Sequence, residues 1–192
     1  MDNRKIISVN NYHIQRSIMK LILSIIFILF AAQAYSQKEY KNEIYNFKIT
    51  IPDDWEVVHG KKNIVFEASS GIYLNLYVQA QKLNISDSVS IYYMPIDTLK
   101  KRIEKTYAHR YTYYEVLQYG KNIIDFVDAY YFFVKYASDF EGFSAKFISY
   151  QYQFIYNKIF YSLIITCPQK NFPKYEVEFN KIFSTFAFLE KK

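Results

Sequence analysis

Apolar residues recur at two different periods along this chain, and the switches between them lay out the elements. Phe47, Ile49 and Ile51 alternate with Lys48 and Thr50, and the run stops at Pro52, which predicts a strand. Pro52-Asp53-Asp54-Trp55 reads as a turn. Gly60 and Gly71 bracket a second strand over residues 63–68. The third strand is the clearest. Ile72, Leu74, Leu76, Val78 and Ala80 share one face, while Tyr73, Asn75, Tyr77, Gln79 and Gln81 share the other. That pattern predicts a sheet with one dry face and one wetter or partner-facing face.

After residue 96 the period lengthens. Asp97 is the expected helix cap, with Leu99, Ile103 and Tyr107 on one face of a helix over 97–109. Strand patterns resume at 112–119, 128–136, 143–156 and 158–167, with Asn157-Lys158 as a tight hairpin turn and Pro168 closing the last strand. Asn171-Phe172-Pro173 then opens a helix whose stripe is Tyr175, Phe179, Ile182, Phe183 and Phe186, a face that should dock on the sheet. The order is three strands, a helix, four strands and a helix. Short links between the late strands favour antiparallel pairing. The expected fold class is α+β, a mostly antiparallel sheet of about six or seven strands flanked by helices.

Residues 19–36 change the picture from fold to address. Met19 and Lys20 lead into an apolar run from Leu21 to Ala32, followed by Gln33-Ala34-Tyr35-Ser36. A basic start, a short apolar centre and small residues before a cut make a secretory signal peptide. Twelve helical residues span about 18 Å, short of a hydrocarbon core of about 30 Å, so a permanent membrane span is not expected. The expected cut lies between Ser36 and Gln37, and a cut after Ala34 also fits. Residues 1–18 are polar and mixed, and Met19 is the expected true start. Residues 37–192 are then one exported domain, periplasmic or secreted.

Composition narrows the function classes. The net charge is +6, and residues 1–36 carry Arg4, Lys5, Arg16 and Lys20 against Asp2, so half of it leaves with the leader. A mildly basic remainder does not argue for nucleic acid. Cys167 is the single cysteine, which excludes an intramolecular disulfide, and its strand face predicts a buried, inert thiol. Tyrosine (21) and phenylalanine (17) are abundant while glycine and proline number four each, a pattern that codon bias alone would give.

At this point the chain resembles the PsbP-like superfamily. A strand ending in Pro-x-x-Trp opens that domain, here Phe47 to Trp55, and Ser184-Thr185-Phe186 is similar to its closing aromatic segment. Such domains often carry a glycine before the central strand of the meander, where this chain reads Asp125-Phe126-Val127-Asp128-Ala129. The resemblance implies an α-β-α sandwich. Members include a photosystem extrinsic subunit, a nuclear Ran-binding protein and small bacterial envelope proteins, so it implies an accessory, partner-binding role.

The search for chemistry yields surfaces instead of catalysts. His59 and His109 stand alone, and no ligand-spaced cluster accompanies them, so no metal or cofactor is expected. There is no glycine-rich phosphate loop and no Gly-x-Ser-x-Gly elbow. An enzyme is not expected. Lys100, Lys101, Arg102 and Lys105 cluster on the first helix and suit an anionic surface or an acidic partner. Tyr73 and Tyr77 are candidate contact rings, Trp55 reads first as a structural anchor and otherwise as a contact ring, and Tyr150, Tyr152, Phe154 and Tyr156 share one face of another strand. Asp87-Ser88-Val89 and Asp97-Thr98-Leu99 match an Asp-Ser/Thr-apolar pattern, making Ser88 and Thr98 candidates for O-glycosylation. The leading expectation is a non-catalytic envelope accessory protein that binds an envelope protein. The alternative is a small molecule, glycan or lipid held in an aromatic groove, which a tyrosine-lined pocket with convergent polar groups would favour over a flat patch.

Overall fold

A computed structural model describes residues 19, 36–58, 64–71, 73–86, 88–140 and 143–190. Apart from Met19 and Ser36, the expected leader lies outside the described residues, as do His59, Gly60, Asn63, Ile72 and Asp87. The chain divides into two compact units, Met1–Ser36 and Gln37–Lys192. Two sheets and the helices that flank them belong to the second unit.

Seven antiparallel strands form the main sheet, in the order β3 (Glu56–Val58), β4 (Ile64–Ser70), β5 (Leu74–Lys82), β9 (Ile159–Pro168), β8 (Phe143–Tyr156), β7 (Val127–Phe140) and β6 (Tyr113–Ile124). A smaller sheet pairs β1 (Gln37–Asn42), β2 (Phe47–Pro52) and β10 (Ala187–Phe188), with β2 in the middle. Helix α1 is Ile96–Tyr107 and α2 is Phe172–Ser184. Short 3-10 turns at Ile91–Tyr93 and Gln169–Asn171 precede the two helices.

Period-two alternation gives the main sheet two chemically different faces. Leu74, Leu76, Val78 and Ala80 of β5 are buried on the face that meets α2 and the small sheet. Phe154 of β8, Leu163 and Ile165 of β9, and Phe179, Ile182 and Phe183 of α2 complete that core. Tyr152 meets Phe183 edge-on at 4.9 Å and Tyr150 stacks on Phe172 at 5.7 Å. The aromatic face of β8 is therefore roofed by α2, and it points away from Tyr77 instead of joining it on a common open face. The opposite face carries a second core, in which Leu99 and Ile103 of α1 and Ile91 pack on Tyr130, Phe132 and Val134 of β7.

One local expectation meets a different outcome, at the start of α1, and the hairpin turns show how the others are met. Asp97 does not cap α1. Pro95 holds the cap position with no side-chain hydrogen bond, and Asp97, one residue inside the helix, accepts from the Tyr119 hydroxyl at 2.9 Å. A carboxylate in the first turn still favours the helix dipole. At the β6–β7 hairpin Asp125 takes the left-handed conformation (φ 55°), and Ile124 pairs with Val127 around it. Asn157 and Lys158 are both left-handed (φ 47° and 61°), as a two-residue turn between twisted strands requires.

Candidate binding trough

The α1 side of the main sheet is only partly covered, and register decides what the uncovered part presents. Three rows of directly paired residues cross β5, β9 and β8. They are Asn75–Thr166–Ser149, Tyr77–Ile164–Gln151 and Gln79–Ser162–Gln153. Ser149, Gln151, Gln153, Ser162 and Thr166 are the buried polar residues among the described ones, and all five fall in these rows. Burying an amide or hydroxyl is costly unless it is hydrogen-bonded, so five on one face is not what packing alone would select.

Above two of these rows and the Gln79 end of the third lies a trough of about 640 Å³, floored by Asn75, Tyr77, Gln79, Ser149, Gln151, Ile164 and Thr166. An aromatic wall bounds it. Ring centroids run from Tyr107 to Tyr114 (5.1 Å), Tyr114 to Tyr111 (6.1 Å), Tyr111 to Tyr136 (4.4 Å), Tyr136 to Phe147 (5.2 Å) and Phe147 to Tyr73 (6.1 Å). The end of α1 sets the wall in place. The amides of Arg110 and Tyr111 both donate to the Tyr107 carbonyl (2.9 and 3.1 Å), and the chain then joins the sheet where the Thr112 amide donates to Ala137. That turn hangs Tyr107, Arg110 and Tyr111 over the floor.

Some floor groups are spoken for. The Thr166 hydroxyl donates to the Ile148 carbonyl at 3.1 Å, so the Tyr136 hydroxyl must be the donor in its 2.7 Å bond to Thr166 Oγ1. Others are not. Gln151 is 5% exposed, and its Nε2 reaches Ser149 Oγ only at 3.5 Å. The Tyr114 hydroxyl and the Gln151 amide are near enough to influence each other, yet neither Tyr114 Oη nor Gln151 Oε1 completes a hydrogen bond of sound geometry. The side chains of Asn75, Tyr77 and Gln79 make no hydrogen bond with the described residues. Burial is the chief cause that raises the phenols of Tyr77, Tyr107, Tyr111, Tyr114 and Tyr136 above their ordinary value. The rings are thus neutral at any physiological pH. Among the described residues, Glu67 and Arg110 are the charged groups on the walls, one of each sign.

The sequence-predicted surface residues scatter. Tyr73 and Tyr77 line the trough. Trp55 does not reach the surface: it is 1% exposed, and its Nε1 donates to Glu178 Oε1 at 2.9 Å on α2, so its size serves the core. Lys100 is tied to Glu104 at 2.7 Å and lies 5.7 Å from the Tyr119 ring, and the carboxylate raises its pKa. Lys101, Arg102 and Lys105 face solvent on α1. Ser88 sits in an exposed loop, its Oγ 3.2 Å from that of Ser86, and Thr98 is exposed in the first turn of α1. Ser36 is exposed and Gln37 opens β1. Sequence reading missed Gln151, Ser149, Gln153, Ser162 and Thr166. Their alternation was visible, but only pairing shows that they form rows.

No family model matches the sequence, and no curated protein does. The fold does match solved structures. The solution structure of cyanobacterial PsbP (CyanoP) from Synechocystis sp. PCC 6803 superposes with a TM-score of 0.62 at 12% identity, over 80% of this chain and 93% of that one. The fold is PsbP-like. A second PsbP-like match is LpqN, described as involved in cell envelope biogenesis of Mycobacterium tuberculosis, with a TM-score of 0.50 at 8% identity over 79% of this chain and 90% of LpqN. A Bacteroides thetaiotaomicron VPI-5482 protein matches with a TM-score of 0.51 at 15% identity, over 80% of this chain and 49% of that one. Among the described residues no helix is long and apolar enough to cross a membrane, and no three metal-ligating side chains converge.

Proposed function

We propose that this is an exported, non-catalytic accessory protein of the cell envelope, and that it works by holding a ligand in the tyrosine trough. The observation that carries this reading is the aromatic wall standing over buried, underemployed amides and hydroxyls. A trough of about 640 Å³ suits a small ligand better than a flat protein surface. Its chemistry favours binding over catalysis. Amides, hydroxyls and phenols of raised pKa neither take nor give a proton readily near neutral pH. The leader of residues 19–36 supports the address, as does the fold shared with LpqN, by analogy of fold alone.

A second reading is a protein partner, favoured by exposed Lys101, Arg102 and Lys105 on α1 and by Tyr93, which is 77% exposed nearby. One experiment separates the two. A photo-crosslinking amino acid replaces Tyr77, Arg102 or, as a control on the far side, Val177 of α2, in the full chain expressed in its envelope. Adduct formation at position 77 and not at 177 supports the trough. Adducts confined to position 102 would move the site to the α1 surface and overturn the trough.

A further inference from the structure

The ligand class follows from what the trough offers and what it withholds. An acyl chain wants an apolar floor, and this one surrounds a single aliphatic side chain, Ile164, with the amides and hydroxyls of Asn75, Gln79, Ser149, Gln151 and Thr166. A phosphate or nucleotide wants converging cations. Among the described residues the trough offers one cation, Arg110, which lies 6.0 Å from the Tyr107 ring and shares the walls with Glu67. A peptide strand wants free backbone donors and acceptors. The floor is the face of a sheet whose ladder bonds are already made between β5, β9 and β8.

What remains is a neutral, hydroxyl-rich ligand with a flat apolar side. We infer that the trough takes a saccharide. This inference rests on the trough being the binding site. A sugar ring presents axial C–H groups on one face and hydroxyls around its rim. The C–H face carries slight positive charge and stacks on the negative face of an aromatic ring. Tyr107, Tyr111 and Tyr114 supply such faces, with Tyr111 and Tyr114 stacked within 13° of parallel. The hydroxyls each donate and accept. Gln151, whose oxygen is unpartnered, and Asn75 and Gln79, whose amides make no hydrogen bond with the described residues, can each do both in return.

The ligand is longer than one sugar. A second hollow of about 800 Å³ shares Tyr73 and Phe147 with the trough and continues past them to Lys146, Lys170 and Asn171. A glycan chain lying over Gln151 runs out across Tyr73 onto this shelf.

The test uses the full-chain protein on an array of neutral and acidic oligosaccharides, with calorimetric titration of the strongest neutral one. We expect a neutral oligosaccharide to bind, and Tyr111→Ala and Gln151→Leu each to weaken it about tenfold or more. Gln151→Leu also separates a ligand group from a structural one. Removing a buried amide whose oxygen has no partner and whose nitrogen makes one long bond leaves the melting temperature equal or higher, whereas loss of a structural hydrogen bond lowers it. A lowered melting temperature for Gln151→Leu, or binding only to sulfated or phosphorylated glycans, overturns the inference. So does the absence of glycan binding. If position 77 then still crosslinks to an acyl chain or a peptide, the trough stands as the binding site and the saccharide falls. If position 77 captures nothing, both fall.

Discussion

Cys167 has no contact with water, and burial pushes its thiol up to about 11. The thiolate is the reactive form, so a buried thiol held neutral is doubly protected. A thiol reagent at pH 8 is expected to leave the native protein unlabelled and to modify it fully in urea, as intact-mass measurement would report. Trp55 makes the complementary case of a side chain needed for its size. It is fully enclosed and bonded to Glu178 on α2. Trp55→Ala should cost about 3–5 kcal/mol in urea unfolding, with Trp55→Phe retaining most of the packing and losing the hydrogen bond. The composition made Trp55 a candidate contact ring because it is unique in the chain. Its burial agrees with the reading as a structural anchor, although one residue after a turn carries no periodicity to say what it packs against.

At the level of elements, the long strands were legible and the short ones were not. Strand β8 ends where expected because Asn157 and Lys158 punctuate it, and both adopt the left-handed conformation that this turn needs. A β-branched residue resists that conformation, so Asn157→Val is expected to lower stability by roughly 1–2 kcal/mol, read from the urea midpoint. Strand β1 escaped notice because Gln37–Asn42 holds one large apolar residue, Tyr40, and gets its conformation from pairing with β2. Strand β10 has two residues and no pattern to read. The expected cap at Asp97 failed for a related reason. A capping side chain is only one way to start a helix, and the Pro95 carbonyl, accepting from the Thr98 and Leu99 amides at 3.0 and 3.1 Å, begins this one instead.

Across the whole domain, buried phenols sit on both faces of the sheet, with Tyr161 raised on the α2 side and Tyr114 and Tyr136 on the other. A tyrosine freed by unfolding ionises near 10, whereas these stay neutral in the fold to higher pH. Their contribution to stability is therefore complete below about pH 10 and is lost as pH climbs through the raised values. Cys167 adds a smaller loss that begins near pH 9. The urea midpoint should hold from pH 7 to 9 and then fall steeply. Tyrosinate absorbance should lag behind the 21 phenols of the chain until unfolding releases them. The trough was half legible at this scale. Tyr73 and Tyr77 stood out on the wetter face of β5, while the floor depended on which strands flank β5, and no local pattern encodes that neighbour.

The register that builds those rows also separates two kinds of evolutionary change. On β5 and β8 the odd positions face the trough and the even ones the α2 core, and on β9 the parity reverses. Exchanging Gln79, Ser149 or Gln151 for another polar residue leaves Val78, Tyr150 and Phe154 where they are. Each strand thus carries two interleaved messages, one for foldability and one for taste. A lineage can rewrite the second letter by letter while the first stays intact. Relatives with this register are expected to diverge in what they recognise sooner than in how they fold.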